Sequence, residues 1–164
     1  SIHGKKLCFA EQVLPHDEAN AEGRFADKYF HALFGKKFVR HLSDNVNIAL
    51  NYGYSIILSS MSRIVAGHGY VPFIGVHHKS KTNNFNLACD CMEPFRAIVD
   101  NIVAKQNGRA LDKEYKLILL ECLNKRVMYN YKSYSAQDAM ELYFLDIAKS
   151  LSNNKMDIGA LSVL

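Results

Sequence analysis

The sequence predicts a mainly α fold, a multi-helix domain with one short β-hairpin near residues 125–134. Three observations lead there. Apolar residues recur at three- and four-residue steps through most of the 164 residues, the spacing of one helix face. A composition that is 49% hydrophobic, with only three prolines, supplies a core for about one domain and excludes collagen-like, low-complexity and wholly disordered chains. Only around Val127 to Tyr131 does the pattern switch to a period of two.

In the first helix, Ala19 to Phe34, residues Phe25, Ala26, Tyr29, Phe30 and Leu33 repeat at helical steps with Glu22 at the stripe's edge, and Gly35 stops it. Asp17 and Glu18 stand near its positive end. The second runs from about Asn45 to Ala66, long enough to be central, with Ala49, Tyr52, Ile56, Ser59 and Arg63 on one face and Ile57, Leu58, Met61 and Val65 widening the apolar side; Gly67 and Gly69 end it. Residues 69–84 break the pattern with Pro72 and Gly75 and read as a loop holding His77 and His78. From Phe85 the stripe Leu87, Cys91, Phe95, Ile98 and Ile102 resumes, with Pro94 expected to bend it or to mark a helix start. Leu111 to Asn124 is a further helix. After the hairpin, Ser135 and Asp138 resemble a capping box opening a helix to about Leu151, and the tail from Ser152 is expected to fray.

Function classes narrow next. No apolar run approaches the ~20 residues of a membrane span, and the opening SIHGKKL lacks the apolar core of a signal peptide, so a cytoplasmic setting without membrane is expected. Cys8, Cys89, Cys91 and Cys122 are spaced for neither a disulfide framework nor a zinc site, which points to reduced thiols. A net charge of +4 is compatible with a polyanionic partner without demanding one.

Singly, the acidic residues and histidines are unremarkable. Glu22 suits a solvated helix edge, His77 and His78 suit a loop, and Asp90 and Glu93 suit a helix N-terminus. As a set they lie on separate elements, so only tertiary structure brings them together. Carboxylates with one imidazole suit Mg²⁺ or Mn²⁺, and the imidazole tilts the choice toward Mn²⁺. Such an ion suits phosphodiester chemistry.

The strings EANAEGRFADKYFHALFG, ALNYGYSIILSSMSRIVAGHGY and GVHHKSKTNNFNLACDCMEPFR resemble the helical catalytic domain of the CRISPR-associated integrase and endonuclease family Cas1, closest to members that accompany type II systems. The likeness runs from about residue 5 to residue 150. It implies a metal held by Glu22 of N-x-E-G, His78 of G-x-H-H and Glu93 of D-x-M-E-P-F-R. Asp90 is then either a further ligand or a group that orients the others, and His77 is the less favoured of its pair. It also implies basic and aromatic contacts to DNA, for which Tyr52 and Arg96 are candidates. Tyr52 has a core role as its alternative, and Arg96 an ion pair with Glu93. Lys125, Arg126 and Lys132 among the hairpin tyrosines form a second such surface, or a solvated hairpin packed on the last helix.

The activity so implied is metal-dependent DNA cleavage and integration in CRISPR adaptation, a 3′-hydroxyl attacking a phosphodiester of double-stranded or branched DNA. The alternative is a non-catalytic DNA-binding or assembly module whose carboxylates are structural. Residues 1–164 are expected to be the helical catalytic domain alone, without the family's N-terminal β-rich domain. That domain builds the homodimer and the surface for the partner Cas2, so this chain is expected to be monomeric and to bind metal more readily than it integrates.

Overall fold

Residues 21–78, 80–153 and 158–163 are described by the computed structural model, the side chains of Ala21 and Glu22 excepted. Two compact units are distinguished, Ser1–Leu42 and Ser43–Leu164, and each is taken by itself. In the first, α1 (Ala21–Phe34) ends where the Gly35 N–H donates to the His31 carbonyl at 3.0 Å and Gly35 takes φ +92°, a conformation that favours glycine. Phe34 and Phe30 then pack on Phe38, with ring centroids 4.9 and 5.6 Å apart. Asp17, Glu18, the expected start at Ala19, and Cys8 lie outside the described residues.

The second unit is organised around α2 (Asn45–Gly67), against which α3 (Asn86–Met92), α4 (Arg96–Ala104), α5 (Lys113–Leu120) and α6 (Ala136–Asn153) all pack. Asp44 caps α2 by accepting the Asn47 N–H at 2.8 Å. Its buried seam is Leu50, Gly53, Tyr54, Ile57, Met61 and Ile64, whereas Tyr52 and Ile56 are half-buried and Ser59 and Arg63 exposed. Of the residues that the sequence suggested, Ala49, Ile57, Met61 and Val65 are buried and Leu58 is half-buried, so the core side lies toward the part expected only to widen it and away from Ser59 and Arg63; four helices share one cylinder, and the seam includes Gly53, which faces Val99. Burying a side chain such as Leu50, Ile57 or Met61 contributes about 1.5–3 kcal/mol.

The stripe Leu87, Cys91, Phe95, Ile98 and Ile102 is buried throughout. Pro94 has no N–H to donate, and the helix is interrupted there by a 3-10 turn, Glu93–Phe95, between α3 and α4. Helix α5 is capped by Asp112, which accepts the Tyr115 N–H at 2.8 Å, and it gives way to a 3-10 turn at Glu121–Asn124, so the regular helix is shorter than Leu111 to Asn124.

The hairpin forms as expected. β1 (Arg126–Tyr129) and β2 (Lys132–Ser135) pair antiparallel, Tyr129 opposite Lys132, around a two-residue turn in which Asn130 and Tyr131 take φ +48° and +63°. Ser135 Oγ accepts the Asp138 N–H at 3.1 Å and opens α6. In the described part of the tail, where weak periodicity led to the expectation of fraying, regular structure is found instead: α6 continues to Asn153, and Leu161–Val163 forms β3 on the other edge of β1. A three-residue strand has too few positions to show a period, and what fixes it is the unpaired edge of β1. The Asn130 N–H donates to the Ala160 carbonyl and the Gly159 N–H to the Tyr129 hydroxyl, both at 3.1 Å. No helix among the described residues is long and apolar enough to cross a membrane.

Candidate functional site

The loop that carries the histidines is sewn onto α3 by two of that helix's side chains. Asn86, at the helix start, donates from Nδ2 to the Phe73 carbonyl at 2.9 Å and to the Ser80 carbonyl at 2.8 Å. The Leu87 N–H reaches the Pro72 carbonyl at 2.8 Å. Asp90, one turn on, accepts three successive amides, Val76 at 2.6 Å and His77 and His78 at 3.0 Å each. Gly75 makes the close turn possible, since a Cβ there would collide with the His78 carbonyl and come within 2.8 Å of Asn86 Cβ.

The imidazole of His78 completes this arrangement. Its Nδ1 lies 2.5 Å from Asp90 Oδ1, with the carboxylate 12% exposed and the ring 40% exposed. Burial works against the charged form of Asp90, yet the His77 amide, the His78 ring and the amides of His78 and Val76 together hold its pKa below the usual carboxylate value. A proton on Nδ1 donated to that carboxylate leaves the Nε2 lone pair for another partner, and carboxylate–histidine pairs orient metal-binding imidazoles in this way. His77 is exposed, its ring edge-on to His78 at 5.7 Å.

Glu93 sits where Pro94 breaks the helix. Both of its oxygens accept from one terminal nitrogen of Arg96, at 2.8 and 3.0 Å, so the ion pair weighed from the sequence is formed. The guanidinium carbon stands 4.2 Å over the ring centre of Tyr54, and the Tyr54 hydroxyl donates to the buried Asp100. Gly53 faces Val99, and a Cβ at Gly53 would overlap the valine side chain. The NYGY block therefore places its glycine and second tyrosine in the α2–α4 contact. Tyr52 is half-buried, with the Lys116 ammonium 5.7 Å from its ring centre.

On the hairpin, Arg126 donates from Nε to Ser133 Oγ at 3.1 Å and from a terminal nitrogen to the Ser133 carbonyl at 2.8 Å, while Lys125 and Lys132 are exposed. Its aromatic face is smaller than the sequence suggested. Tyr131 is 92% exposed, but Tyr129 is buried and donates its hydroxyl to Asp146 at 2.5 Å.

Glu22 belongs to the first turn of α1, and its side chain lies outside the described residues. Among the described residues no group of three or more His, Cys, Asp and Glu is placed to hold a metal ion. The chemistry of the two described donors does fit one. His78 Nε2 is left uncommitted by the pairing at Nδ1, and the two bonds from Arg96 occupy only part of the lone-pair capacity of Glu93.

Sequence reasoning gave no role to Tyr54, Asp100 or Asn86, and it read Gly75 only as a mark of the loop. A glycine inside a helical run and an acid inside an apolar one, Gly53 and Asp100, were the available signals. Nothing in the sequence singles out Asn86 as the tie for a loop that precedes it.

A family model described as CRISPR associated protein Cas1 matches residues 19–116, more than half of the chain and all of the segment from α1 to the first turn of α5. The chain belongs to the Cas1 family. The CRISPR-associated endonuclease Cas1 of Neisseria meningitidis serogroup C (strain 8013) is 34% identical over 146 residues, 85% of this chain and 48% of that protein. The CRISPR-associated endonuclease Cas1 1 of Francisella tularensis subsp. novicida (strain U112) is 28% identical over 125 residues, 70% of this chain and 39% of that protein. The chain thus spans half or less of the length of these Cas1 relatives. Among solved structures, a casposase bound to integration product superposes with a TM-score of 0.69 at 22% identity, covering 87% of this chain and 52% of that one, which shows a shared fold.

Proposed function

We propose that this chain is the catalytic part of a metal-dependent DNA integrase and nuclease of CRISPR adaptation. The observation that carries the reading is the His78–Asp90 pair, an imidazole fixed at Nδ1 with Nε2 left uncommitted, on a loop inside the segment that matches Cas1. His78 and Glu93 would hold Mg²⁺ or Mn²⁺, with Glu22 as the third ligand that the family resemblance implies. The ion, when bound, neutralises charge on the scissile phosphate and favours in-line displacement. The protein's own residues do the holding. Asp90 sets the histidine tautomer and pins the loop, Asn86 ties that loop to α3, and Arg96 keeps Glu93 oriented while adding positive charge beside it.

The reaction exchanges one phosphodiester for another. A DNA 3′-oxygen bonds to phosphorus as the 3′-oxygen of the target strand leaves, and water in place of the hydroxyl gives cleavage. Double-stranded or branched DNA is the substrate, contacted by Tyr52, Arg96, Lys125, Arg126 and Lys132. Cas2 and a second copy of the full-length protein are the partners of the whole assembly. Residues 1–164 form the helical catalytic domain in this reading.

One observation favours a second reading. The Glu93–Arg96 pair gives the carboxylate a charged partner without any metal, as it would in a DNA-binding module with structural carboxylates. Mn²⁺-dependent cleavage or strand transfer on branched DNA separates the two. The proposal expects activity in the parent and its loss in Glu22→Ala, His78→Ala and Glu93→Ala; folded variants that match the parent, or DNA binding without any metal-dependent product, would sink it.

A further inference from the structure

A cavity of about 370 Å³ lies between α4, α5 and the start of β1, with neither His78 nor Glu93 in its wall. One part of its wall is aliphatic, with Ile102, Ile118 and Val163. Lys105, Lys125 and Arg126 also line it, and no acidic side chain does so among the described residues. Lys105 and Lys125 form no ion pair with a carboxylate in that set. Arg126 is held in place by its two bonds to Ser133, which use Nε and one terminal nitrogen and leave the other terminal nitrogen for a ligand. Three cations around one cavity, with no acidic side chain among its described lining residues, repel one another, and an anion brought among them relieves that repulsion. The amides of Asn101 and Gln106 add hydrogen-bonding groups beside the aliphatic wall.

We propose that this cavity binds one nucleotide unit of a single-stranded DNA segment. The phosphate meets Lys105, Lys125 and Arg126, the base lies on Ile102, Ile118 and Val163, and Asn101 and Gln106 reach its edge. The volume falls in the range of small-molecule sites and is far too small for a duplex. An acidic peptide would satisfy the cations but leave the aliphatic wall uncovered, which is why a nucleotide is the better match. The inference rests on DNA being the substrate, and to the contacts proposed above for Lys125 and Arg126 it adds Lys105, the aliphatic wall and the two amides, which together define a site for one nucleotide outside the metal-binding set.

The test is a titration of the ¹⁵N-labelled chain in EDTA, followed by NMR, with 2′-deoxyadenosine 5′-monophosphate, inorganic phosphate and hexaglutamate as probes. The nucleotide is expected to shift the amides of Lys105, Gln106, Lys125 and Val163, and phosphate to bind there at least about fivefold more weakly. Lys105→Glu and Lys125→Glu are each expected to weaken nucleotide binding by about fivefold or more while the remaining resonances stay in place. No shift at these amides, equal binding of phosphate or hexaglutamate, or indifference to both charge reversals would overturn the proposal. Because EDTA removes divalent metal, the outcome is independent of the catalytic reading. A chain that cleaves DNA with Mn²⁺ but ignores the nucleotide fails only here, and one that binds the nucleotide but never cleaves fails only there.

Discussion

Replacing Asp90 by alanine removes the acceptor of four hydrogen bonds, the amides of Val76, His77 and His78 at 2.6, 3.0 and 3.0 Å and the His78 ring at 2.5 Å. Hydrogen bonds to a charged group contribute about 1.5–3 kcal/mol each when the group is withdrawn from water. The bonds to Val76 and His77 lie at exposed residues, where water replaces the lost acceptor, so most of the effect comes from the two part-buried bonds to His78. A local loss of about 3 kcal/mol follows, on the order of a 100-fold increase in loop opening. Hydrogen exchange read amide by amide measures it. Residues 76–78 are expected to exchange on the order of 100-fold faster in Asp90→Ala, while the seam of α2 at Leu50 and Ile57 keeps its protection. Asp90→Asn retains one carbonyl oxygen and is expected to recover part of the protection at 76–78. If those amides exchange within about threefold of the parent in a folded Asp90→Ala chain, Asp90 does not hold the loop.

Gly53→Ala drives a methyl group into Val99 and is expected to cost about 1–3 kcal/mol in urea unfolding; adding Val99→Ala should recover part of the loss, whereas strictly additive losses would mean that the two positions do not collide. Burial pushes the thiols of Cys91 and Cys122 up to about 12 and about 11, so at pH 8 a thiol reagent followed by peptide mass mapping should label half-exposed Cys89 and spare both; fast native-state labelling of Cys122 would contradict the packing. Asp112 is held below its ordinary value first by the Tyr115 amide and then by Arg109. A depressed carboxylate stabilises the fold above its unfolded value, near pH 3.9, and loses that contribution as pH falls through its lower native value. Exchange protection at Tyr115 should therefore persist to below about pH 3.9 and then fall in the parent, and Asp112→Asn should flatten that profile.

The fold was legible where one period dominates several turns. The stripe from Leu87 to Ile102 survived a proline because Pro94 falls at a junction the chain bridges with a 3-10 turn, leaving Phe95 and Ile98 on the same side. Helix α2 was legible as an element but not in its orientation. Tyr52 and Tyr54 look alike in sequence, and only the approach of Val99 to Gly53 decides that Tyr54 is the one under Arg96. Strand β3 was not legible, because its stability comes from a partner more than thirty residues away in sequence. Of the candidate site, His78, Asp90, Glu93 and Arg96 were all named from the sequence. Two pairings are found among them: His78 with Asp90, and Glu93 with Arg96. The roles of Asn86 and Gly75 depend on how a loop folds back over the helix that follows it, a relation no local pattern encodes.

The most direct test of the central claim, that His78 binds a catalytic divalent ion through Nε2, is pulsed electron paramagnetic resonance of Mn²⁺ added to the full chain. One imidazole nitrogen coupling is expected in the parent, replaced by the ¹⁵N signature when histidine is isotopically labelled. It should vanish in His78→Gln and persist in His77→Gln. Bound Mn²⁺ with no nitrogen coupling, or a coupling that survives His78→Gln, would contradict the account.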